Sequence, residues 1–198
     1  MNSWELVTIT KEQLSTEIEQ LDTSIMDHIL EFWNQYGHFG TWQFWFNVMT
    51  ILLPLAVTFF VIDRKKIFQI AFYGYTFHAM LVYFDIFLTR NNFWDHPYHL
   101  IPYVPVSIPV DGVLVPVIFM LAYQFSLNHS KNLYLVVFST AIGATLLAWV
   151  WHLLGLLVFS NGMNIFHIYL LQISMALISY WFTKFFISLK KGSQDEMK

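Results

Sequence analysis

The chain contains no cysteine among its 198 residues. That absence excludes disulfide bonds, thiolate metal sites, cysteine nucleophiles and haem attachment through a CxxCH motif. Three catalytic patterns are absent as well: the GxSxG of serine hydrolases, the HExxH of zinc proteases and the phosphate-binding P-loop. No motif in the sequence therefore identifies a catalysed reaction.

Charge is scarce. Only 12% of the residues are charged, against about 25% in a typical soluble domain. The chain is 57% hydrophobic, with a mean hydropathy of +0.52, which indicates a protein that resides in lipid. The first 40 residues hold one base and seven acids, and the remainder holds nine bases and six acids. An acidic segment before a mildly basic membrane body argues against nucleic-acid binding.

A leader segment and several cofactors are also not expected. The acidic first 40 residues lack the apolar core of a cleavable signal peptide. No lysine lies in the middle of a hydrophobic segment, so a retinal Schiff base is not expected. A b-type haem needs two facing histidines, and only His152 and His167 lie at comparable depth. The cofactor content stays unknown from sequence alone.

Five hydrophobic segments approach the length of about 20 residues that a membrane-spanning helix needs. They predict an all-α polytopic membrane helix bundle of about five transmembrane helices, preceded by an N-terminal amphipathic helix. The predicted spans are Trp42–Ile62, Ile67–Leu88, Asp111–Leu127, Leu133–Phe159 and Ile165–Ile187. If these spans alternate in direction, eight of the ten bases fall on one side. The positive-inside rule then predicts an N-terminus outside the cell membrane and a C-terminus in the cytoplasm.

Three regions follow from this pattern. Residues 1–40 are predicted to form an acidic extracytoplasmic helix. A capping box of Thr10 and Gln13 and a hydrophobic contact between Ile9 and Leu14 are expected at its start. Its apolar stripe is expected to pack on protein, either the bundle or a second copy, because acidic helices bind anionic lipid poorly. Residues 41–190 form the transmembrane domain, and residues 191–198 predict a disordered cytoplasmic tail.

The segment 91–110 is an unusual connection, since it combines four prolines with large apolar side chains. Proline blocks helix formation, yet the segment is too apolar for an ordinary solvated loop. Two interpretations remain open: a folded cap or shallow re-entrant segment over the bundle, and an interfacial loop anchored by aromatic side chains.

Polar side chains concentrate in the outer half of the predicted bundle. Ionisable residues inside a membrane are costly and usually functional, so the asymmetry predicts an outward-facing polar pocket beneath the Pro-rich loop. The candidate pocket residues are Asn47, His78, Asp85, Trp94, Tyr98, Asp111, His152, His167 and Gln172. His78 also has a purely structural interpretation, as a core histidine bonded to a neighbouring carbonyl or tyrosine.

Two carboxylates bracket the loop. Asp85 needs a partner if it is buried, whereas Asp111 can simply cap the third helix. We predict that both line one cavity and that at least one is bonded to His78, His152, His167 or Arg90. His96 and His99 are weak metal-ligand candidates, because a metal site needs three or more converging ligands and this pair supplies two. No metal site is therefore assigned from the sequence.

The sequence also resembles a family of small multipass membrane proteins from Gram-positive, often spore-forming bacteria. The resemblance runs from about Glu31 to Tyr169, and its Pro-rich stretch is the most specific part. It rests on Trp42-Gln43-Phe44-Trp45, Pro54, Asp63-Arg64-Lys65, Trp94, Pro97, Leu100-Ile101-Pro102, Pro105, Pro109-Val110-Asp111, Pro116-Val117 and Tyr123-Gln124. The resemblance implies membrane location and topology, and it carries over no catalytic residue.

Two functions remain open. The first is a membrane protein that binds a small or lipid-like ligand, or a partner subunit, through the outward-facing pocket. The second is an intramembrane enzyme acting on a lipid or isoprenoid, with His78, His152 and Asp85 as the acid–base groups or with a metal.

Overall fold

The computed structural model describes residues 10–195, with side chains described as far as Lys190, and it is almost entirely helical. The expected contact of Ile9 with Leu14 lies outside the described residues. The elements are α1 (Lys11–Phe32) with a π-helical turn (Trp33–Gly37), α2 (Trp42–Val61), α3 (Ile67–Arg90), β1 (Trp94–Asp95), a π-helical segment (Ile108–Leu114) continuing as α4 (Val115–Asn128), α5 (Leu133–Leu153), β2 (Val158–Phe159) and α6 (Ile165–Asp195).

Five of these helical stretches are long and apolar enough to cross a membrane, which confirms the predicted all-α polytopic bundle. They are Trp42–Val61, Ile67–Arg90, Ile108–Asn128, Leu133–Leu153 and Ile165–Lys190. Many of their large side chains are exposed, with Phe60 at 81% and Phe68 at 89%. Lipid tails provide the solvent for such a surface, so the chain is an integral, multipass membrane protein.

Consecutive helices run in opposite directions, which gives the bundle two distinct ends. At the end that we call the basic end, the side chain of Gln124 bonds Val61 O and the backbone N–H of Asp63, and Lys66 donates to Asn128. The opposite end, which we call the loop end, carries the segment 91–107. Arg64, Lys65, Lys66 and Lys131 all belong to the basic end.

The core lies where α3, α4, α5 and α6 meet. Tyr73 stacks on Tyr123 with ring centres 4.2 Å apart, and Phe77 stacks on Phe119 at 4.6 Å. Gly74 permits this approach, since a Cβ there would lie 2.8 Å from the sulfur of Met120. Small buried alanines let α5 and α6 pack closely in the same way; they are Ala141, Ala144 and Ala176.

Three helix boundaries differ from those predicted by three residues or more, and the others agree within two. The fourth span ends at Leu153 rather than Phe159, because Gly155 adopts a φ of +73° and the chain then turns into β2. The third span begins earlier, since the Ile108–Leu114 segment is already helical. Helix α6 continues to Asp195, into the segment predicted as a disordered tail, and the last three residues lie outside the description.

Helix α1 stands largely apart from the bundle. Its predicted capping box is confirmed, with Gln13 N–H donating to the Thr10 hydroxyl and Gln13 Oε1 accepting from Thr10 N–H. None of its residues is buried, and the apolar stripe that includes Leu14, Ile18 and Leu21 is about half exposed. The bundle of the same chain therefore does not cover this stripe, contrary to one of the two interpretations.

A two-stranded antiparallel ribbon closes the loop end. Strand β1 pairs with β2, with Trp94 opposite Phe159 and Asp95 opposite Val158. Ser160 N–H also donates to Phe93 O. The ribbon thus joins the α3–α4 connection to the α5–α6 connection and fixes the position of the residues that follow β1.

Candidate functional site

Asp85 lies near the end of α3, and its side chain is fully buried. Its Oδ1 accepts the indole N–H of Trp94 at 2.7 Å and the hydroxyl of Thr89 at 3.3 Å. Its Oδ2 accepts the backbone N–H of Ser107 at 3.2 Å. One carboxylate therefore fastens both ends of the loop to α3, which explains how it is tolerated in an apolar bundle.

His96 follows β1 directly and points into the bundle, with only 7% of the residue exposed. Its Nε2 lies 3.7 Å from Asp85 Oδ1 and 3.3 Å from Asp111 Oδ2. The expectation that His78, His152, His167 or Arg90 would partner one of these carboxylates is wrong, because His96 occupies that place. The three residues Asp85, His96 and Asp111 are called the loop-end cluster below.

Asp111 belongs to the π-helical segment before α4 and is 6% exposed. It does not cap the helix, contrary to the simpler interpretation, since it lies inside the segment and its N–H already donates to Ser107 O at 2.8 Å. Its buried Oδ2 has no hydrogen-bond partner, because the 3.3 Å contact with His96 lacks hydrogen-bond geometry. Asp111 is thus an incompletely satisfied carboxylate within the cluster.

The cluster is electrostatically unusual. Burial by itself would lower the pKa of His96, but the contact with Asp111 and the charges of Asp111, Asp85 and Asp95 outweigh it and raise the pKa to about 9. Burial lowers the pKa of His99, which has no comparable partner. Among the described residues, no lysine or arginine nitrogen lies within 4.0 Å of either cluster carboxylate. Histidine is therefore the group that faces the two acids.

A small cavity of about 40 Å³ adjoins the cluster between α3, α4, α5 and α6. His96, Asp111 and Gln172 supply polar atoms to its lining, and its other walls include Leu81 and Trp151. A water molecule needs a cavity of about 10–15 Å³ by this kind of measure, together with polar partners. The cavity can therefore hold a few atoms beside Asp111. Asp85 does not line it, so the prediction that both carboxylates line one cavity is wrong.

A much larger cleft of about 940 Å³ lies between α1 and the proline-rich loop. Its apolar walls come from Ile25, Ile29, Phe32 and Trp33 of the N-terminal region and from three loop prolines. Its polar residues are Asp22, Ser24, His28, Thr89, Arg90, Asp95 and His99. The Trp33 indole donates to His99 O at 3.1 Å, which ties the two walls together.

The structure brings some of the other predicted pocket residues to the loop and the cavity. Asn47 is buried and donates to Tyr98 O at 2.7 Å, so it fastens the loop to α2. Gln172 lines the cavity and accepts a weak bond from Thr145 at 3.4 Å. Trp94 binds Asp85 as described above. These residues position the site.

Three predicted histidines lie elsewhere. His78 is part-buried, and its buried Nδ1 has no hydrogen-bond partner. His152 bonds Leu157 O through Nδ1 at 2.9 Å at the end of α5, and exposed His167 bonds Asn164 at the start of α6. None of the three forms a hydrogen bond or an ion pair with the loop-end cluster. His99, the other weak metal candidate, lines the large cleft instead.

Comparison with known proteins finds no match for this chain among family models, curated proteins or solved structures. The interpretation of the site therefore rests on its own geometry.

Proposed function

We propose that this integral membrane protein binds a small amphipathic, lipid-like ligand in the cleft between α1 and the proline-rich loop. The observation that carries the proposal is the cleft itself. Its volume of about 940 Å³ lies within the range of ligand pockets, which is about 300–1,000 Å³. Its lining combines aromatic and apolar walls with a few converging polar groups, the composition typical of such pockets.

The position of the cleft supports an amphipathic ligand. Thr89 and Arg90 belong both to the lining and to the end of the second span. The cleft therefore opens at the level where acyl chains give way to headgroups. The apolar part of a ligand would lie against Phe32 and Trp33, and its polar part would reach Arg90 and Asp95.

The charge of the lining limits the kinds of headgroup that the ligand can carry. Asp22 and Asp95 supply two negative charges against the single positive charge of Arg90, and a lowered pKa keeps His99 neutral near pH 7. A multiply anionic headgroup would be repelled by this balance. The proposal is therefore a neutral, zwitterionic or cationic amphiphile, bound at the outer face of the cell membrane as the distribution of basic residues favours.

Native mass spectrometry of the protein purified in mild detergent tests this proposal. We expect a co-purifying amphiphile, lost from Trp33→Ala and from Tyr103→Ala because both side chains line the cleft. Trp181→Ala is the matched control, since Trp181 is an exposed tryptophan on α6 that does not line the cleft. Absence of any adduct, or an adduct equally retained by all three variants, would overturn the proposal.

A second candidate function is an intramembrane enzyme acting on a lipid or isoprenoid. The specific observation that favours it is the loop-end cluster, where His96 and the incompletely bonded Asp111 border a cavity. These two residues replace His78 and His152 as the acid–base pair. Mass spectrometry of a membrane lipid extract incubated with the protein would reveal a product that is absent with His96→Ala. Unchanged lipids with the wild-type protein would argue against this function.

A further inference from the structure

The loop-end cluster has the arrangement of a metal-binding site. Asp85, His96 and Asp111 each place one ligand atom within 4.8 Å of the others, and all three residues are buried. They come from α3, the loop after β1 and the segment before α4, so the fold rather than local sequence brings them together. We propose that they bind one divalent transition-metal ion, with Zn²⁺ as the ion that the ligand set fits best. This goes beyond the ligand cleft proposed above and does not depend on it.

The distances suit such an ion. Bonds of about 2.0–2.2 Å in tetrahedral geometry place ligand atoms about 3.3–3.6 Å apart. His96 Nε2 lies 3.3 Å from Asp111 Oδ2 and 3.7 Å from Asp85 Oδ1. Two of the three separations between ligand atoms therefore match those of a tetrahedral zinc site to within a few tenths of an ångström.

Asp111 provides an independent observation that points to a ligand. Its Oδ2 is buried, faces His96 and lacks a hydrogen-bond partner. A buried acceptor without a hydrogen bond costs about 1–3 kcal/mol or more, and a coordinated cation would satisfy this oxygen directly. Asp85 differs, because bonds from Trp94, Thr89 and Ser107 already orient it. Such bonds to a ligating carboxylate are the usual support of a metal site.

The charge balance of the cluster also favours a bound cation. The two carboxylates of the cluster carry two negative charges, and no lysine or arginine within the described residues neutralises them at contact distance. A proton on His96 compensates one of those charges, whereas a divalent cation compensates both. In a poorly hydrated site this difference favours the cation.

The ligand types select among divalent ions. One imidazole and two carboxylates suit Zn²⁺, which binds both donor types in four-coordinate sites. Ca²⁺ takes six to eight oxygen ligands, and Mg²⁺ demands octahedral oxygen geometry with several waters. Three protein ligands leave a fourth position, and the cavity of about 40 Å³ beside His96 and Asp111 has room for a water molecule there.

The test uses the full chain, purified through a histidine-free tag, stripped with chelator and titrated with Zn²⁺ against a chromophoric chelator. We expect one ion per chain, with affinity at least about a hundredfold weaker in His96→Ala and in Asp111→Asn, since even supporting residues cost 10–100-fold. His167→Ala is the control, because this exposed histidine lies outside the cluster. Binding unchanged in the cluster variants, or no stoichiometric binding, would overturn the proposal.

A second measurement requires no variant. Co²⁺ bound to the stripped wild-type protein should show the intense visible absorption of a four-coordinate site, and Zn²⁺ should abolish it by displacement. A spectrum identical to that of Co²⁺ in buffer would overturn the proposal even if the cluster variants fail to fold.

Discussion

At the scale of single residues, Asp85 is the side chain on which the loop end depends. It sits in an apolar bundle with no exposed surface and accepts hydrogen bonds from both ends of the 91–107 segment. Hydrogen bonds to a charged group contribute about 1.5–3 kcal/mol each. The loop is therefore held by a few strong polar bonds as well as by packing.

Trp94→Phe tests that contribution, with Trp151→Phe as the measure of what shortening a buried tryptophan costs by itself. The substitution removes the indole N–H that donates to Asp85 at 2.7 Å, so we expect a loss of about 1.5–3 kcal/mol in unfolding free energy. Thermal unfolding in detergent measures it. Trp151→Phe should lower the unfolding free energy clearly less, because Trp151 is also buried but its indole nitrogen has no hydrogen-bond partner; an equal shift in both variants would contradict the account.

The stability of the chelator-treated protein should depend on pH through His96. Its pKa is raised to about 9 from the ordinary 6.5, so the folded state binds the proton more tightly than the unfolded state. The resulting stabilisation is fully present below pH 6.5 and is lost as the pH rises through 9. Unfolding measured between pH 6 and 10 should show that loss, on the order of 3 kcal/mol, and His96→Gln should flatten it. A wild-type profile as flat as that of the variant would exclude this ionisation.

The sequence identified Asp85 and Asp111 as candidate site residues, but it did not identify His96 as the side chain that lies against both. A carboxylate inside a hydrophobic segment signals a need for a partner, and that signal is local. The role of His96 depends on the pairing of two-residue strands β1 and β2, in which Trp94 lies opposite Phe159, 65 residues further along the chain. No periodicity marks strands so short, so the sequence pairs His96 only with its neighbour His99.

At the scale of elements, the five spans were predictable because composition and length decide them in lipid. Their ends were not, since Gly155 and the π-helical turns depend on local backbone conformation. The start of α1 was predictable from its capping box. The position of α1 was not predictable, because an amphipathic stripe indicates that a helix face packs against something without indicating which surface it packs against.

The uncovered stripe of α1 leads to a prediction about assembly. Leu21 is 58% exposed, and the chain's own bundle does not cover it. A second copy of the chain is the other protein surface on which the stripe is expected to pack. The chain lacks cysteine, so Leu21→Cys should give a disulfide-linked dimer in oxidised membranes. Thr23→Cys, on another face of the same helix, should give much less. Equal or absent cross-linking in both variants would contradict a second copy on this face.

At the scale of the whole molecule, the two ends of the bundle differ in chemistry. The loop end holds the cleft, the cluster and the acidic helix α1, whereas the basic end holds Arg64, Lys65, Lys66 and Lys131. The proposed ligand and metal sites share one end and connect to one side of the membrane. The positive-inside rule predicts that this side is the outside of the cell membrane, and the proposed function requires that orientation.

Single-cysteine labelling in intact cells is the most direct test of that central claim. Ser15 lies on α1 and Ser130 in the turn between α4 and α5, and both are exposed on opposite sides of the five spans. With an impermeant thiol reagent, Ser15→Cys should be labelled in whole cells, and Ser130→Cys only after the membrane is permeabilised. Labelling of Ser130→Cys in whole cells with protection of Ser15→Cys would contradict the account, because the cleft and the cluster would then face the cytoplasm.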